Sequence, residues 1–272
     1  MLVDRIYQHY EQQHEVAPPR FHLGASQLGA DCERYVWMSY RWFASEDFEG
    51  RKLRLFDTGK REEFRLLDEL KAIGVQVKFI SDDPDLQHRV SALSGHFGGS
   101  LDAIATHIDP MDPEKPYILE FKTHNTKSFN DLKKNGVVQA KWQHYVQMQI
   151  YMGLMEIPQA IYLAVCKDND ELYEEEVVFD EEVFSQLMQK ARRLVKSPSA
   201  PDKLHNSPQF FKCKWCPMLD VCHNGTKAAK SCRTCVHSAP HESGTWLCTK
   251  HGATLSNEQQ LAACDEYTAI EL

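Results

Sequence analysis

The sequence predicts an α/β fold, a central mixed sheet flanked by helices, and three observations lead there. Apolar residues recur every three or four positions in the first segments. From about Val75 the period shortens to two in VQVKFI (75–80), GSLDAIAT (99–106) and YILEFKT (117–123). A helical stretch then leads into two further strand-like runs. Strands interleaved with longer helical segments are the pattern of a sheet covered by helices.

Taken in order, residues from Ser26 to about Phe43 read as a helix with a Ser cap that carries Cys32. GKREEFRLLDELKAIG reads as a second helix, with Phe64, Leu67 and Leu70 as its apolar stripe, Glu62 and Glu63 in its first turn and Gly74 as its stop. The three strands follow, separated by Pro, Gly and Asp turns. A helix from about Val138 to Met155 comes next, then the strands AIYLAVCK and ELYEEEVVF and a helix from about Asp180 to Val195. The Pro- and Ser-rich segment 196–208 reads as a linker, and the chain beyond it is rich in cysteine.

With 272 residues and 42% apolar content, the chain can bury one substantial core with a small appendage. The expected division is a main domain over residues 1–225 and a cysteine-rich module over 226–272. No apolar run is long enough to span a membrane, and the start MLVDRIYQHYEQQHE lacks the basic end and apolar stretch of a signal peptide. A soluble, cytoplasmic protein is expected, in the host cytoplasm if the source is viral. A net charge of −8 argues against a polyanionic partner when taken alone. Its distribution is uneven, however: DNDELYEEEVVFDEE (168–182) is strongly acidic, whereas residues 122–141 hold five lysines against Asp131 as the lone acid.

Nine cysteines without an export signal point to metal ligation rather than disulfides. Cys166, in an apolar run, reads as a buried strand thiol. Cys213, Cys216 and Cys222 have the spacing CxxCxxxxxC and need a fourth ligand, for which Cys32 is the candidate. Such a thiolate set suits Zn2+ or a [4Fe-4S] cluster, and spacing does not separate them. Cys232, Cys235, Cys248 and Cys264 resemble a small zinc ribbon or knuckle, with His237, His241 and His251 as replacement ligands. A flexible tail with loose thiols is the other reading.

In YILEFKT, Glu120 and Lys122 share one strand face, with Leu119 and Phe121 on the other. Asp102 lies on a neighbouring strand just after glycines, so two carboxylates and an amine can converge. Phosphodiester hydrolysis needs such a set, in which hard oxygen ligands hold Mg2+ or Mn2+ and Lys122 orients or deprotonates water. ExK alone is a weak signal, because Glu and Lys alternate on many exposed strands. The spacing D-x17-E-x-K, the pair Gln147 and Tyr151 four apart on a helix, and Glu63 earlier strengthen it.

In their order, Gly59 to Glu63 (GxxxE), Gly99 to Asp102 (GxxD), Glu120 to Lys122 (ExK) and Gln147 to Tyr151 (QxxxY) resemble the RecB-like branch of the PD-(D/E)XK nucleases over roughly residues 26–225. The resemblance implies a restriction-endonuclease-like core in which Asp102, Glu120 and the Phe121 carbonyl bind the divalent metal and Lys122 is catalytic. It also implies that Glu63 supports the metal site and that Gln147 and Tyr151 contact DNA or the active-site backbone. Many relatives carry His directly after Gly59, where this chain has Lys60, so His96 is kept as a secondary metal ligand.

One cysteine before the core and CxxCxxxxxC after it resemble the CRISPR-associated RecB-like nucleases and AddB-type nuclease domains. That resemblance implies a [4Fe-4S] cluster on Cys32, Cys213, Cys216 and Cys222, in a lobe that ties the first helix to the segment beyond the core. The implied activity is exonucleolytic degradation of DNA with single-stranded ends favoured, in a phage or mobile-element protein acting with a recombination or replication partner. A structure-specific or single-strand endonuclease using the same residues is one rival, and a non-catalytic DNA-end or protein-binding module is another. Zn2+ in the last forty or so residues would compensate for a small core.

Overall fold

The computed structural model describes residues 1–15, 19–44, 48–78 and 88–272. Two compact units emerge, each assembled from three separate stretches: Met1–Pro18, Phe48–Val90 and Gly99–Ser185 in one, and Pro19–Asp47, Ser91–Gly98 and Gln186–Leu272 in the other.

The first unit is built on a five-stranded sheet. Its strands run, in spatial order, Gln76–Lys78, Ala103–Thr106, Tyr117–His124, Gln159–Cys166 and Leu172–Val178. Only Tyr117–His124 and Gln159–Cys166 pair in parallel, so the sheet is mixed. The parallel pair needs a crossover, supplied by the helices Thr126–Ala140 and Trp142–Met155. One sheet face carries Tyr117, Leu119, Phe121, Ile161, Leu163 and Val165, which pack with Leu66 and Leu67 of the long helix Gly50–Ala72. Alternation along the strand sends Glu120 and Lys122 to the opposite side. Of the expected strand VQVKFI, residues 79–80 lie outside the described residues.

Local chemistry moves several expected boundaries. The Gly50–Ala72 helix starts well before Gly59, so Glu62 and Glu63 sit in its interior rather than its first turn. Helix-dipole stabilisation is therefore no explanation for Glu63. The expected strand 99–106 is divided into Phe97–Leu101 and Ala103–Thr106 at Asp102, whose Oδ2 accepts the Phe121 N–H at 2.7 Å and so supplies a side-chain acceptor at the break. The helix expected from Val138 is preceded by a full helix, Thr126–Ala140, capped by the Asn125 side chain on Ser128 N–H. Gly136, at φ +71°, interrupts this helix and hides its period. The chain also opens on a helix, Leu2–Glu15, that the sequence reading left unassigned; its Glu11 accepts the Gly50 N–H at 2.6 Å.

In the second unit, the single helix expected over 26–43 is two, Ala25–Leu28 and Glu33–Tyr40. Gly29 and Asp31 separate them, and Cys32 caps the second helix rather than lying within it, its sulfur accepting the Tyr35 N–H at 3.4 Å. Residues 226–272, expected as a cysteine-rich module, fall in the same compact unit as 19–47. The physical reason is Arg233, which is 1% exposed. Its guanidinium lies over Trp246 (4.0 Å), Trp42 (4.3 Å) and Tyr40 (5.2 Å) and donates to the Tyr40 and Phe21 carbonyls and to Gln260 Oε1. Arg41, also buried, donates to the carbonyls of Arg233 and Ser238. Two arginines thus cement the tail to the Glu33–Tyr40 helix through cation–π and charge-assisted bonds. The tail itself is a three-stranded antiparallel sheet of Ser238–Pro240, Trp246–Cys248 and Ala253–Leu255.

Candidate active site

The Tyr117–His124 strand delivers the chemistry. Glu120 is fully buried at the centre of the sheet, opposite Tyr162 in the parallel register, and Lys122 follows it on the same face. The Lys122 ammonium contacts Glu120 Oε1 and donates to the Phe121 carbonyl at 3.1 Å. Glu120 Oε2 is buried with no hydrogen-bond partner. A buried carboxylate oxygen left without a donor is costly unless a cation or proton serves it.

The electrostatics follow from crowding. Burial pushes the Glu120 carboxyl up to about 8, with Lys122 opposing and Asp102 reinforcing the shift. Burial and then Asp102 push Glu63 up to about 7. Asp102 is also raised by burial, against the pull of Lys122 and the Phe121 N–H. Burial acts downward on Lys122, but Glu120 and Asp102 outweigh it and hold the amine charged. Asp102, Glu120, Lys122 and Glu63 therefore form one interacting cluster, in which burial first and mutual repulsion second push the carboxyls upward.

The cluster opens on a cavity of about 420 Å³ lined by Gly59, Glu62 and Glu63 on the helix side and by Lys122, His124 and His144 on the other. A small residue at Gly59 keeps that wall low: a β-carbon there would meet only the Thr123 hydroxyl, at 3.8 Å. Gln147 and Tyr151 are buried beneath. Gln147 Nε2 donates to the Tyr151 hydroxyl at 3.1 Å, and that hydroxyl donates to the Ser100 carbonyl at 2.7 Å.

A second network escaped the sequence reading. Tyr162 Oη lies 2.8 Å from both His124 Nε2 and His144 Nδ1, and His124 Nδ1 lies 3.1 Å from Ser128 Oγ. Burial, with help from Lys141 and Lys122, pulls His124 down to about 4. Burial followed by Lys122 pulls His144 down to about 3. Both imidazoles are neutral at pH 7, so Tyr162 donates to one and accepts from the other. The available signal was His124, two residues beyond Lys122 and therefore on its face of the strand.

Both ring nitrogens of His96, the secondary ligand candidate, are engaged in hydrogen bonds. Its Nδ1 is 3.2 Å from the Tyr40 hydroxyl and its Nε2 is 2.8 Å from the His241 carbonyl. The carbonyl takes the ring's N–H and the hydroxyl takes its lone pair, so a structural histidine results.

The two cysteine sets lie in the second unit. Cys32, Cys213, Cys216 and Cys222 line one small cavity of about 20 Å³ together with Met38 and Met218. Burial drives the Cys216 thiol up to about 11, and Cys32, Cys222 and Cys213 add to the shift. Cys232, Cys235, Cys248 and Cys264 line another cavity, of about 350 Å³, with His237 and His251. Cys264 Sγ stands 3.7 Å from His251 Nε2, and all nine cysteines are free thiols. Among the described residues, no three His, Cys, Asp or Glu side chains are drawn together closely enough to hold a metal ion as they stand. None of the described helices is long and apolar enough to cross a membrane.

The family model of the PD-(D/E)XK nuclease superfamily matches residues 3–223, which include Glu63, Asp102, Glu120, Lys122, Gln147 and Tyr151. The chain belongs to the PD-(D/E)XK nuclease superfamily. No curated protein matches it. Among solved structures, it is similar to the crystal structure of SSO0001 at 18% identity, covering 82% of this chain and 96% of that one, with a TM-score of 0.48. The alkaline exonuclease of Laribacter hongkongensis matches at 12% identity over 69% of this chain and 90% of its own, with a TM-score of 0.45. A phage related exonuclease from Haemophilus somnus 129PT matches at 16% identity over 64% and 91%, with a TM-score of 0.43. In this chain Asp102 stands directly before the strand Ala103–Thr106, which pairs with the strand Tyr117–His124 that carries Glu120 and Lys122, and the Phe121 N–H donates to it.

Proposed function

We propose that this protein is a metal-dependent DNA exonuclease that hydrolyses phosphodiester bonds at DNA ends. The observation that carries the reading is the unpartnered, fully buried Oε2 of Glu120, a carboxylate that interacts with Asp102, Lys122 and Glu63, of which Lys122 and Glu63 line one cavity. Carboxyls that burial pushes upward, Glu120 to about 8, Glu63 to about 7 and Asp102 in the same direction, suit a hard divalent cation. Asp102, Glu120 and the Phe121 carbonyl would hold Mg2+ or Mn2+, with Glu63 in support. The bound ion would supply charge neutralisation for the phosphate and an activated water. Lys122, kept charged by its neighbours, would orient the water and stabilise negative charge on the phosphate. Tyr151, through Ser100, would fix the backbone that carries Asp102.

The four thiols around the small cavity support a [4Fe-4S] cluster on Cys32, Cys213, Cys216 and Cys222, as in the RecB-like branch. Its chemistry would be structural, joining the cap of one helix to a segment far along the chain and opposing the entropy of that long loop. Cys232, Cys235, Cys248 and Cys264 would hold Zn2+ in the same way.

The deciding assay uses protein purified without oxygen and end-labelled DNA with Mn2+. Wild type should shorten the DNA, whereas Glu120→Ala and Lys122→Ala should not. Equal activity in all three rejects the site. Cleavage of covalently closed single-stranded circles would instead support an endonuclease.

A further inference from the structure

The stretch Phe210–Cys216 reads FFKCKWC, alternating aromatic rings with cations, and it is not used by the hydrolytic site. Phe211 and Trp215 are 65% and 82% exposed, far more than large aromatics usually are. They flank the short helix Phe211–Lys214, Phe211 at its first residue and Trp215 directly after its last. The inner side is anchored, because Cys213 and Met218 are buried. The rings are therefore held outward by a seated turn.

Charge accompanies them. Lys212 Nζ lies 5.6 Å from the Phe211 ring and Lys214 Nζ 5.4 Å from the Trp215 ring. From Lys203 to Lys214 the chain carries three lysines and no acid, in a protein of net charge −8. Lys212 also pairs with Asp31 at 2.6 Å, so part of the charge is balanced. Behind this row His205 stacks on Phe210 at 4.6 Å with nearly parallel planes, and Phe210 packs against Phe211 at 4.7 Å.

We infer that Phe211 and Trp215, with Lys212 and Lys214 beside them, form a stacking platform for single-stranded DNA. An exposed ring offers a π-face, and a neighbouring ammonium offers a phosphate contact. Unpaired bases present both complements at once, whereas the bases of a duplex are already stacked on each other. A purely apolar protein partner would offer Lys214 no counter-charge. The inference rests on the nuclease reading only for the choice of DNA as the polymer.

The test is fluorescence anisotropy of the full chain in EDTA, so that nothing is cut, with a labelled oligothymidylate and a labelled blunt hairpin. Trp215→Ala and Phe211→Ala should each weaken oligothymidylate binding by roughly ten-fold, within the range measured for a stacked base. Trp215→Phe should retain most of the affinity, and hairpin binding should change far less. Unchanged oligothymidylate affinity in both alanine variants overturns the platform, as does wild-type protein that binds the hairpin alone. Mn2+-dependent cleavage by wild type is scored separately: its absence would refute the nuclease reading and leave the binding result standing.

Discussion

The Tyr151 hydroxyl donates to the Ser100 carbonyl at 2.7 Å, two residues before Asp102, and receives a hydrogen bond from Gln147 at 3.1 Å. This pair couples a helix to the backbone that carries a proposed metal ligand. Tyr151→Phe removes one buried hydroxyl and should cost about 1–2 kcal/mol of stability. Its larger effect is expected on turnover, about ten-fold or more, with Mn2+ affinity weakened as Asp102 loses its anchored position. Denaturant melts and a Mn2+ titration of activity check both.

Raised carboxyl pKa values set the pH dependence of the metal-free protein. Glu63 and Glu120, pushed up to about 7 and about 8, keep protons in the folded state that the unfolded chain releases near 4.5. The folded state binds more protons across that interval, so stability is greatest on its acid side and falls as pH rises from about 5 to about 8. Thermal melts in EDTA at a series of pH values should show the decline. Added Mn2+ should reverse it most strongly at the alkaline end, and Glu120→Gln should flatten the slope.

Tyr162 is shared by two neutral histidines, His124 and His144. Tyr162→Phe leaves two buried ring nitrogens without their partner and should cost about 2–4 kcal/mol, judged by urea unfolding. His144 lines the cavity, so activity should fall as well, while the visible absorption of the proposed cluster stays unchanged.

Arg233 is fully enclosed by Trp246, Trp42 and Tyr40 and spends three donor contacts on Tyr40, Phe21 and Gln260. Lys cannot reproduce that planar fork. Arg233→Lys should lower stability by about 3 kcal/mol or more, since buried acceptors lose their donors. Limited proteolysis should then cut within residues 226–272 first.

Each cysteine set can be removed by itself. Cys216→Ser should abolish iron content and visible absorption while leaving zinc, whereas Cys248→Ser should lower zinc and leave iron. Elemental analysis of the two variants reads both directly.

Much of the sheet was legible because strand alternation is local: the alternation in YILEFKT alone put Leu119 and Phe121 on one face and Glu120 with Lys122 on the other. What escaped depended on contacts across the chain. Glu63 read as a first-turn residue because Gly59 resembled a start, yet the Gly50–Ala72 helix begins earlier, where Gly50 N–H meets Glu11. Gly136 concealed the Thr126–Ala140 helix by breaking its period. His96 looked available as a ligand because nothing nearby in sequence reveals that Tyr40 and His241 engage both its nitrogens. The Arg233 cage is invisible locally for the same reason, since two of its rings, Trp42 and Tyr40, come from the far end of the chain.

The second unit is stitched from three stretches of chain, with its last stretch supplying Arg233 and most of the thiols. A ribosome emits Trp42 and Tyr40 long before the guanidinium that will sit between them, so during translation those rings must stay exposed until the tail emerges. Maturation of this half is therefore a late event, and the nascent chain passes through a period in which a chaperone can engage the bare rings before the tail covers them.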